Sequence, residues 1–282
     1  MNDSATGRFA DLVGPLPLAF SFSPVDQAVW RRSHQSGLET RDMGGHMASE
    51  GFLDTQLLRA ADGQAGRRTG WVSSDLDFHY MHVLKGTLEL RTLDGEIVTL
   101  AKGDIAVQPP FAFDPGHFVF SGDFEALQIT ANGAFALIEA KIPELRAQPI
   151  AHERKYIVTR ESPEAHIVGD GPRQYFSYRD TGARESTAGR IHIHIVGIVA
   201  TPPDGSTGWH DHTMDQFFTV LTGTSRDNID TAPFLSLKPG DGVTIPAGLA
   251  HDFGWYTDDY SVVEVCIPAE YDTRPREKPA DK

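Results

Sequence analysis

The sequence of 282 residues repeats itself at a fixed distance. Val83-Leu-Lys-Gly86 matches Val220-Leu-Thr-Gly223, so that Gly86 and Gly223 stand 137 residues apart. The same offset, without a gap, pairs Leu100 with Leu237, Gly103-Asp104 with Gly240-Asp241, and Pro109 with Pro246. Self-similarity of this kind indicates two copies of one structural unit. We therefore predict two tandem domains, residues 1–148 and 149–282.

The local pattern predicts strands in both domains. Short segments rich in Val, Ile, Phe and Thr lie between 18 prolines and 27 glycines, which is typical of strands joined by turns. Residues 86–91, 191–195 and 261–267 alternate in polarity, as strands with one buried face do. Helical spacing indicates a short helix from Phe135 to about Arg146, and the charged tail, residues 273–282, is expected to be mobile. The predicted fold class is all-β, with few short helices.

Charge and cysteine content narrow the class of protein. The formal net charge is −14, and such a surface repels phosphate backbones and anionic lipid. Cys266 is the single cysteine, which excludes an intramolecular disulfide framework. The sequence has no signal-peptide pattern near residue 1, and its apolar run at residues 191–200 is too short to span a bilayer. We expect a cytoplasmic protein with no nucleic-acid or membrane partner.

Three histidines of the second half are spaced like metal ligands. His210 and His212 are two residues apart, so on a strand they point to the same face. His251 follows a segment rich in Gly and Pro, whose tight turns return the chain. If a neighbouring strand places His251 opposite the other two, three imidazoles converge. Such a site suits Fe, Zn, Ni or Cu better than Mg or Ca.

Residues 210–223 and 240–251 resemble the two characteristic motifs of the cupin superfamily, and the repeat makes the whole chain similar to a bicupin. This resemblance implies a small jelly-roll β-barrel in each half, with one divalent transition metal per chain. By position, His210, His212 and His251 match the histidine ligands of the family. Gln216 falls where many cupins have a glutamate ligand, so it either binds the metal weakly or hydrogen-bonds a metal-bound water or substrate.

The first half departs from the cupin motif at every ligand position. Ser73, Asp75, His79 and Asp114 stand where the second half has His210, His212, Gln216 and His251. We therefore predict that the first barrel carries no soft-metal site and contributes structure and an interface.

Strand parity indicates further residues around the site. In residues 190–196 the isoleucines share one face, and Arg190, His192 and His194 share the other. We expect the isoleucines to pack against the partner sheet and the histidines to face inward, with His194 and Gln216 as the catalytic residues. The aromatic residues in step with the ligands, Phe218, Phe253 and Trp255, are expected to form an apolar cavity wall.

Three functions are compatible with this site. Neutral ligands leave the charge of the metal uncancelled, which favours an anionic or bidentate oxygen substrate. We predict an Fe(II) dioxygenase, with Zn, Ni or Mn as other metals, that acts on a small aromatic or enolisable compound. An isomerase or lyase is the first alternative, because the same Lewis acid stabilises an enolate. A non-catalytic metal-binding or ligand-binding bicupin is the second, because no general base is evident near the metal. We expect a homo-oligomer, a dimer.

Overall fold

The computed structural model describes residues 16, 18–33, 37–68, 72–74, 78–91, 96–108, 117–131, 135–137, 157–171 and 173–280. Strands of the first half are β1 Ser21–Ser23, β2 Arg31–Arg32, β3 Leu38–Asp42, β4 Leu53–Ala60, β5 Gly66–Arg68, β6 Val72–Ser74, β7 Phe78–Lys85, β8 Thr87–Arg91, β9 Ile97–Ala101, β10 Ile105–Gln108, β11 Phe118–Phe120, β12 Glu125–Ala131 and β13 Phe135–Leu137. Strands of the second half are β14 Ile157–Thr159, β15 Ile167–Val168, β16 Phe176–Asp180, β17 His192–Ile198, β18 His210–His212, β19 Asp215–Thr222, β20 Ser225–Ile229, β21 Leu235–Leu237, β22 Gly242–Ile245, β23 His251–Tyr256, β24 Ser261–Ile267 and β25 Thr273–Pro275.

Helical structure in the described part is limited to one-turn elements. They are α1 Gly45–Ala48, α2 Ala183–Ser186 and the 3₁₀ turns Val25–Gln27, Ala61–Gly63 and Pro163–Ala165. The all-β prediction is confirmed. The predicted helix is wrong at its start, because Phe135–Leu137 is a strand whose backbone pairs with β6, and residues 138–146 lie outside the described residues. No described helix has the length and apolar content needed to cross a membrane.

Each half forms a barrel from one seven-stranded sheet and a smaller sheet. In the first half the orders are β14-β10-β7-β12-β4-β3-β2 and β5-β11-β8-β9, with β13-β6 beside them. In the second half they are β1-β22-β19-β24-β17-β16-β15 and β21-β20-β23-β18-β25. The prediction of two tandem jelly-roll barrels is confirmed.

The repeat seen in the sequence is a repeat of backbone conformation. Gly86 and Gly223 both have a φ of 69°, and each ends the hairpin strand that carries the shared Val-Leu pair. Gly103 and Gly240 both have a φ of 88°. Glycine adopts this left-handed conformation without the steric penalty of a side chain, so it is retained at both copies of each turn.

The two halves exchange strands. β1 from the first half pairs with β22 at the edge of the second seven-stranded sheet. β14, from the second half, pairs with β10 at the edge of the first. Neither large sheet is therefore built from one half alone. The predicted boundary near residue 148 lies outside the described residues and stays a prediction.

An apolar core lies between the two seven-stranded sheets. The alternating isoleucines Ile191, Ile193 and Ile195 are at most 4% exposed and lie in this core, as predicted. Each barrel also has its own interior core. The core between the sheets further includes Met43, Leu53, Phe78, Tyr80, Ile105, Val107, Leu127, Ile129, Phe217, Val263, Val265 and Ile267.

Two buried arginines join the halves reciprocally. Arg41 of β3 is 2% exposed, and its Nη1 donates to the carbonyl oxygen of Gly240 at 2.7 Å. Arg179 of β16 is 1% exposed, and its Nη1 donates to the carbonyl oxygen of Gly103 at 2.8 Å. Each arginine thus holds the repeated glycine turn of the opposite half, which couples the two barrels.

Replacing the buried Arg41 by Met leaves the half-buried Gly240 without the donor to its carbonyl oxygen. We expect the free energy of unfolding to fall by about 2 to 4 kcal/mol, measured by urea denaturation at pH 7. Arg32→Met is the matched control, because Arg32 is 61% exposed in its ion pair with Asp62. Its effect should stay within about 0.5 kcal/mol, and a loss no larger than this for Arg41→Met would contradict the coupling role.

Candidate metal centre

The three predicted histidines meet in the second barrel. His210 opens β18 and His251 opens β23, and these two residues are paired across the adjacent antiparallel strands. His212 lies two residues further along the same face of β18. One ring nitrogen of each histidine lies within 4.8 Å of the others, and the ring centroids are 4.4 to 5.2 Å apart. The predicted convergence is confirmed.

The outer ring nitrogen of each histidine is held by the protein. Nδ1 of His210 and Nδ1 of His251 each donate to the backbone carbonyl two residues earlier, at 2.6 and 2.9 Å. Nδ1 of His212 lies 3.0 Å from the hydroxyl of Thr273. Nε2 of His251 is buried without a hydrogen-bond partner, and Nε2 of His210 lies 3.4 Å from Nη2 of Arg173. Metal-binding histidines are oriented in this way, through their second nitrogen.

Burial keeps the three imidazoles neutral. It is the main cause that lowers the pKa of His212 to about 4 and the pKa of His251 to about 3. The pKa of His210 is also lowered, again chiefly by burial. Neutral imidazoles carry the free lone pair that a metal requires, so near pH 7 the cluster is ready to bind one.

Gln216 lies beside this cluster and contacts a carboxylate. It lines the same cavity as His210 and His212, and its Nε2 donates to Glu264 of β24. Its Oε1 is buried without a hydrogen-bond partner. The carboxylate therefore fixes the amide with its oxygen free, although direct ligation by Gln216 stays a prediction.

Glu264 is the site residue that the sequence analysis did not single out. Its Oε2 accepts a hydrogen bond from Nε2 of His194 at 2.5 Å, and Nδ1 of His194 lies 3.0 Å from Nε2 of His192. Burial by itself raises the pKa of Glu264, but the hydrogen bonds from His194 and Gln216 outweigh it and hold the pKa at about 2. His194 thus faces the cavity, as predicted, and is joined to Gln216 through an ionised carboxylate. A catalytic role for His194 stays a prediction.

An aromatic cavity adjoins the histidines. Its empty volume, including the open mouth, is about 680 Å³. The predicted wall residues Phe218 and Phe253 line it. The other aromatic lining residues are Phe176, Tyr178, Tyr256, Tyr260 and Tyr271. The space next to the histidines therefore fits a small, largely apolar body.

The prediction that Trp255 belongs to this wall is wrong, because Trp255 is 52% exposed. The pairing of β20 with β23 shifts register between Ser225 and Arg226, and Trp255 has a positive φ of 32°. This bulge breaks the two-residue alternation that the prediction used. Tyr256, the next residue, lines the cavity instead.

The tail expected to be mobile covers the ligand strand. Thr273–Pro275 forms β25, which pairs with β18 along its whole length. Asp211, between the two histidines, has a fully buried side chain that accepts hydrogen bonds from Arg274 and Arg276 at 2.7 and 2.6 Å. The expectation of mobility is thus wrong for β25, because ion pairing with Asp211 and the β-ladder hold it. We call residues 271–276 the C-terminal strap.

The described part of the first barrel contains no such cluster. Within the described ranges, groups of three or more possible metal ligands occur only in the second half. At the positions equivalent to the ligands, His79 is hydrogen-bonded to Gln108 at 2.8 Å. Asp75 and Asp114 lie outside the described residues, as does the side chain of Ser73. The loss of the first site therefore stays a prediction.

Comparison with known proteins agrees with this architecture. Residues 197–268 match the family model Cupin_2, a cupin domain. No curated protein matches the sequence. Oxalate decarboxylase from Bacillus subtilis is similar in structure, with a TM-score of 0.57 and 12% identity over 90% of this chain and 78% of that chain. Protein YlbA from E. coli has a TM-score of 0.61 and 13% identity over 93% of this chain and 98% of that chain. Together these similarities support the cupin superfamily.

The low pKa of His251 predicts acid sensitivity of the metal-free protein. The folded pKa of about 3 lies below the value of about 6.5 in an unfolded chain. Between these values the unfolded chain binds a proton that the folded protein excludes, so the free energy of unfolding falls as the pH falls. From pH 7 to pH 5 this one histidine should remove about 2 kcal/mol.

We expect His251→Asn to lose about 2 kcal/mol less than the unsubstituted protein over the same pH range, measured by urea denaturation with a chelator present. His46→Asn is the control, because the His46 side chain is 54% exposed. Equal pH dependence in His251→Asn and the unsubstituted protein would show that His251 is not held neutral by burial.

Proposed function

We propose that this chain is a metal-dependent cupin enzyme with one divalent transition metal per chain, held by His210, His212 and His251. We further propose that it is an Fe(II) dioxygenase of a small aromatic or enolisable oxygen-bearing compound. The observation that carries the proposal is the set of three neutral imidazoles, oriented through Nδ1, beside an aromatic cavity.

The residues present fit a transition metal. Nε2 of His251 is a buried polar atom without a partner, which a metal held by the three histidines would satisfy, and Oε1 of Gln216 is a second such atom in the same cavity. Imidazole nitrogens favour Fe, Zn, Ni or Cu. Mn remains a candidate as well, since the similar Bacillus subtilis oxalate decarboxylase has Mn(II) centres. When bound, the metal supplies a Lewis acid and, as Fe(II), the capacity to activate O₂.

The protein residues supply orientation and water exclusion. Phe218 and Phe253 pack edge to face at 5.2 Å between centroids, and Phe253 also lies 5.0 Å from the His251 ring. These rings keep bulk water from the histidines and offer a flat surface to a planar substrate. Gln216, fixed by Glu264, presents its amide oxygen from the neighbouring strand.

A specific observation favours an isomerase or lyase as the second candidate. The buried Glu264 carboxylate and the His194 imidazole share a short hydrogen bond inside the cavity, so the pair is able to hold a proton next to a substrate. Similarity to a decarboxylase agrees with this candidate. The same carboxylate argues against a non-catalytic binding protein, since the cavity does contain a group for proton transfer.

Metal analysis tests the site itself. Protein purified without added metal should contain about one transition metal per chain, and His212→Ala should lose it, because only two imidazoles remain. Gln216→Ala should retain most of the metal, with an affinity reduced by about 10- to 100-fold. Elemental analysis and chelator competition measure both values. Loss as complete in Gln216→Ala as in His212→Ala would make the amide an essential ligand, and two tightly bound metals per chain would contradict the proposal.

Oxygen dependence separates the two reaction classes. The Fe(II)-loaded protein should consume O₂ with a catechol-like, hydroxyaryl or diketone compound and incorporate label from ¹⁸O₂ into the product. An oxygen electrode and mass spectrometry measure these results. Sustained turnover under strict anaerobiosis would reject the dioxygenase and favour the isomerase or lyase.

The proposal includes the location, the oligomeric state and the ligands of the protein. We propose a cytoplasmic homodimer with a small-molecule substrate as its only kind of ligand besides the metal. Light scattering at several protein concentrations tests the dimer.

A further inference from the structure

Arg173 brings a cation to the cavity without a carboxylate partner. It is half-buried just before β16 and lines the cavity. Its Nη1 donates to the hydroxyl of Tyr175 at 2.8 Å and to the carbonyl oxygen of Thr207 at 2.6 Å. Among the described residues, no Asp or Glu forms an ion pair with it.

The second terminal nitrogen of Arg173 lies next to the candidate metal centre. Nη2 is 3.4 Å from Nε2 and 3.5 Å from Nδ1 of His210. Nη2 is thus within reach of both ring nitrogens of His210, of which Nδ1 already donates to the Gly208 carbonyl. The cationic end of Arg173 therefore lies at the histidine cluster, on the cavity that Arg173 and His210 both line.

The charges around the cavity do not cancel once a metal is bound. Among the described residues that line the cavity, Glu264 is the one carboxylate and Arg173 the one arginine. Glu264 supplies one negative charge, whereas Arg173 and a divalent metal together supply three positive charges. A bound anion would offset this excess of positive charge. The ligand of this cavity therefore brings negative charge.

We propose that Arg173 is the specificity-determining residue of this cavity, and that it binds the carboxylate of a small aromatic acid whose second oxygen donor faces the histidines. The proposal rests on the proposed metal site for that second contact. It narrows the substrate class from small aromatic or enolisable compounds in general to aromatic compounds that carry a carboxylate beside a hydroxyl or keto oxygen.

Two matched probes test the charge requirement. We would compare 2-hydroxybenzoate with 2-hydroxybenzamide, which have nearly the same shape but differ in the carboxylate charge. Binding to Co(II)-loaded protein is measured by calorimetry, and the Co(II) absorption bands report whether each probe reaches the metal. The unsubstituted protein should bind 2-hydroxybenzoate about 10- to 100-fold more tightly than the amide, as expected for a charge-assisted hydrogen bond.

Arg173→Met should reduce this preference to less than about threefold and leave the metal content unchanged. Arg173→Gln removes the charge but retains an amide group that donates hydrogen bonds, as needed by Tyr175 and Thr207. This variant replaces Arg173→Met in the comparison if Arg173→Met does not fold. Arg226→Met is the matched control. Arg226 belongs to the same domain and lies over the ring of Trp255 at 4.9 Å, outside the cavity. The control should keep the full preference.

An unchanged preference in the Arg173 variants would overturn the proposal, and so would equal binding of the two probes, or no binding of either, in the unsubstituted protein. If the protein binds no metal, the proposed function fails separately. The two probes are then compared in metal-free protein. A preference for 2-hydroxybenzoate in the unsubstituted protein that is lost in the Arg173 variants supports the anion site. Equal binding of the two probes by the unsubstituted protein overturns it.

Discussion

Isoleucine and histidine alternate along β17, and this alternation ties the candidate metal centre to the core between the two halves. Ile193 and Ile195 are buried against the first half, while His194, between them, bonds to Glu264 inside the second barrel. A slip of one residue would exchange the two faces of the strand. The packing between the halves therefore fixes which side chains enter the cavity, and the first barrel supports the site without contributing a ligand from its described residues.

The two barrels differ in the side chains that the hairpin strands β8 and β20 bury. Leu88 and Leu90 of β8 are buried among aromatic rings in the first barrel. At the repeat offset, Ser225 and Asp227 replace them in the second barrel, and Ser225 donates to Asp227 at 2.7 Å. Burial raises the pKa of Asp227 well above its usual value. The second barrel thus has a buried polar pair where the first has two leucines.

Local sequence patterns predicted the strands and the histidine cluster. They did not predict side-chain positions that depend on contacts with distant segments of the chain. The repeat and the strand alternation predicted two β domains, the resemblance to cupins implied that each is a barrel, and the histidine spacing predicted the meeting of His210, His212 and His251. The sequence around Glu264 did indicate its position. Val262 and Cys266 lie on the same face of β24 as Glu264, so that face is as apolar as the opposite one. A strand with two apolar faces is expected to pack within the protein on both sides. The bulge at Trp255 carries no such signal, since a register shift depends on the partner strand. The position of Arg173 depends on a loop contact that no periodicity reports.

The C-terminal strap is synthesised after the ligand strand that it covers. Arg274 follows Asp211 by 63 residues, so on the ribosome β18 emerges well before the strand that covers it. Until then the Asp211 carboxylate has neither of its two arginines, and His212 lacks its contact with Thr273. The ligand strand reaches its final order only after translation has passed the strap. The three-histidine cluster therefore takes its final form only in the completed fold.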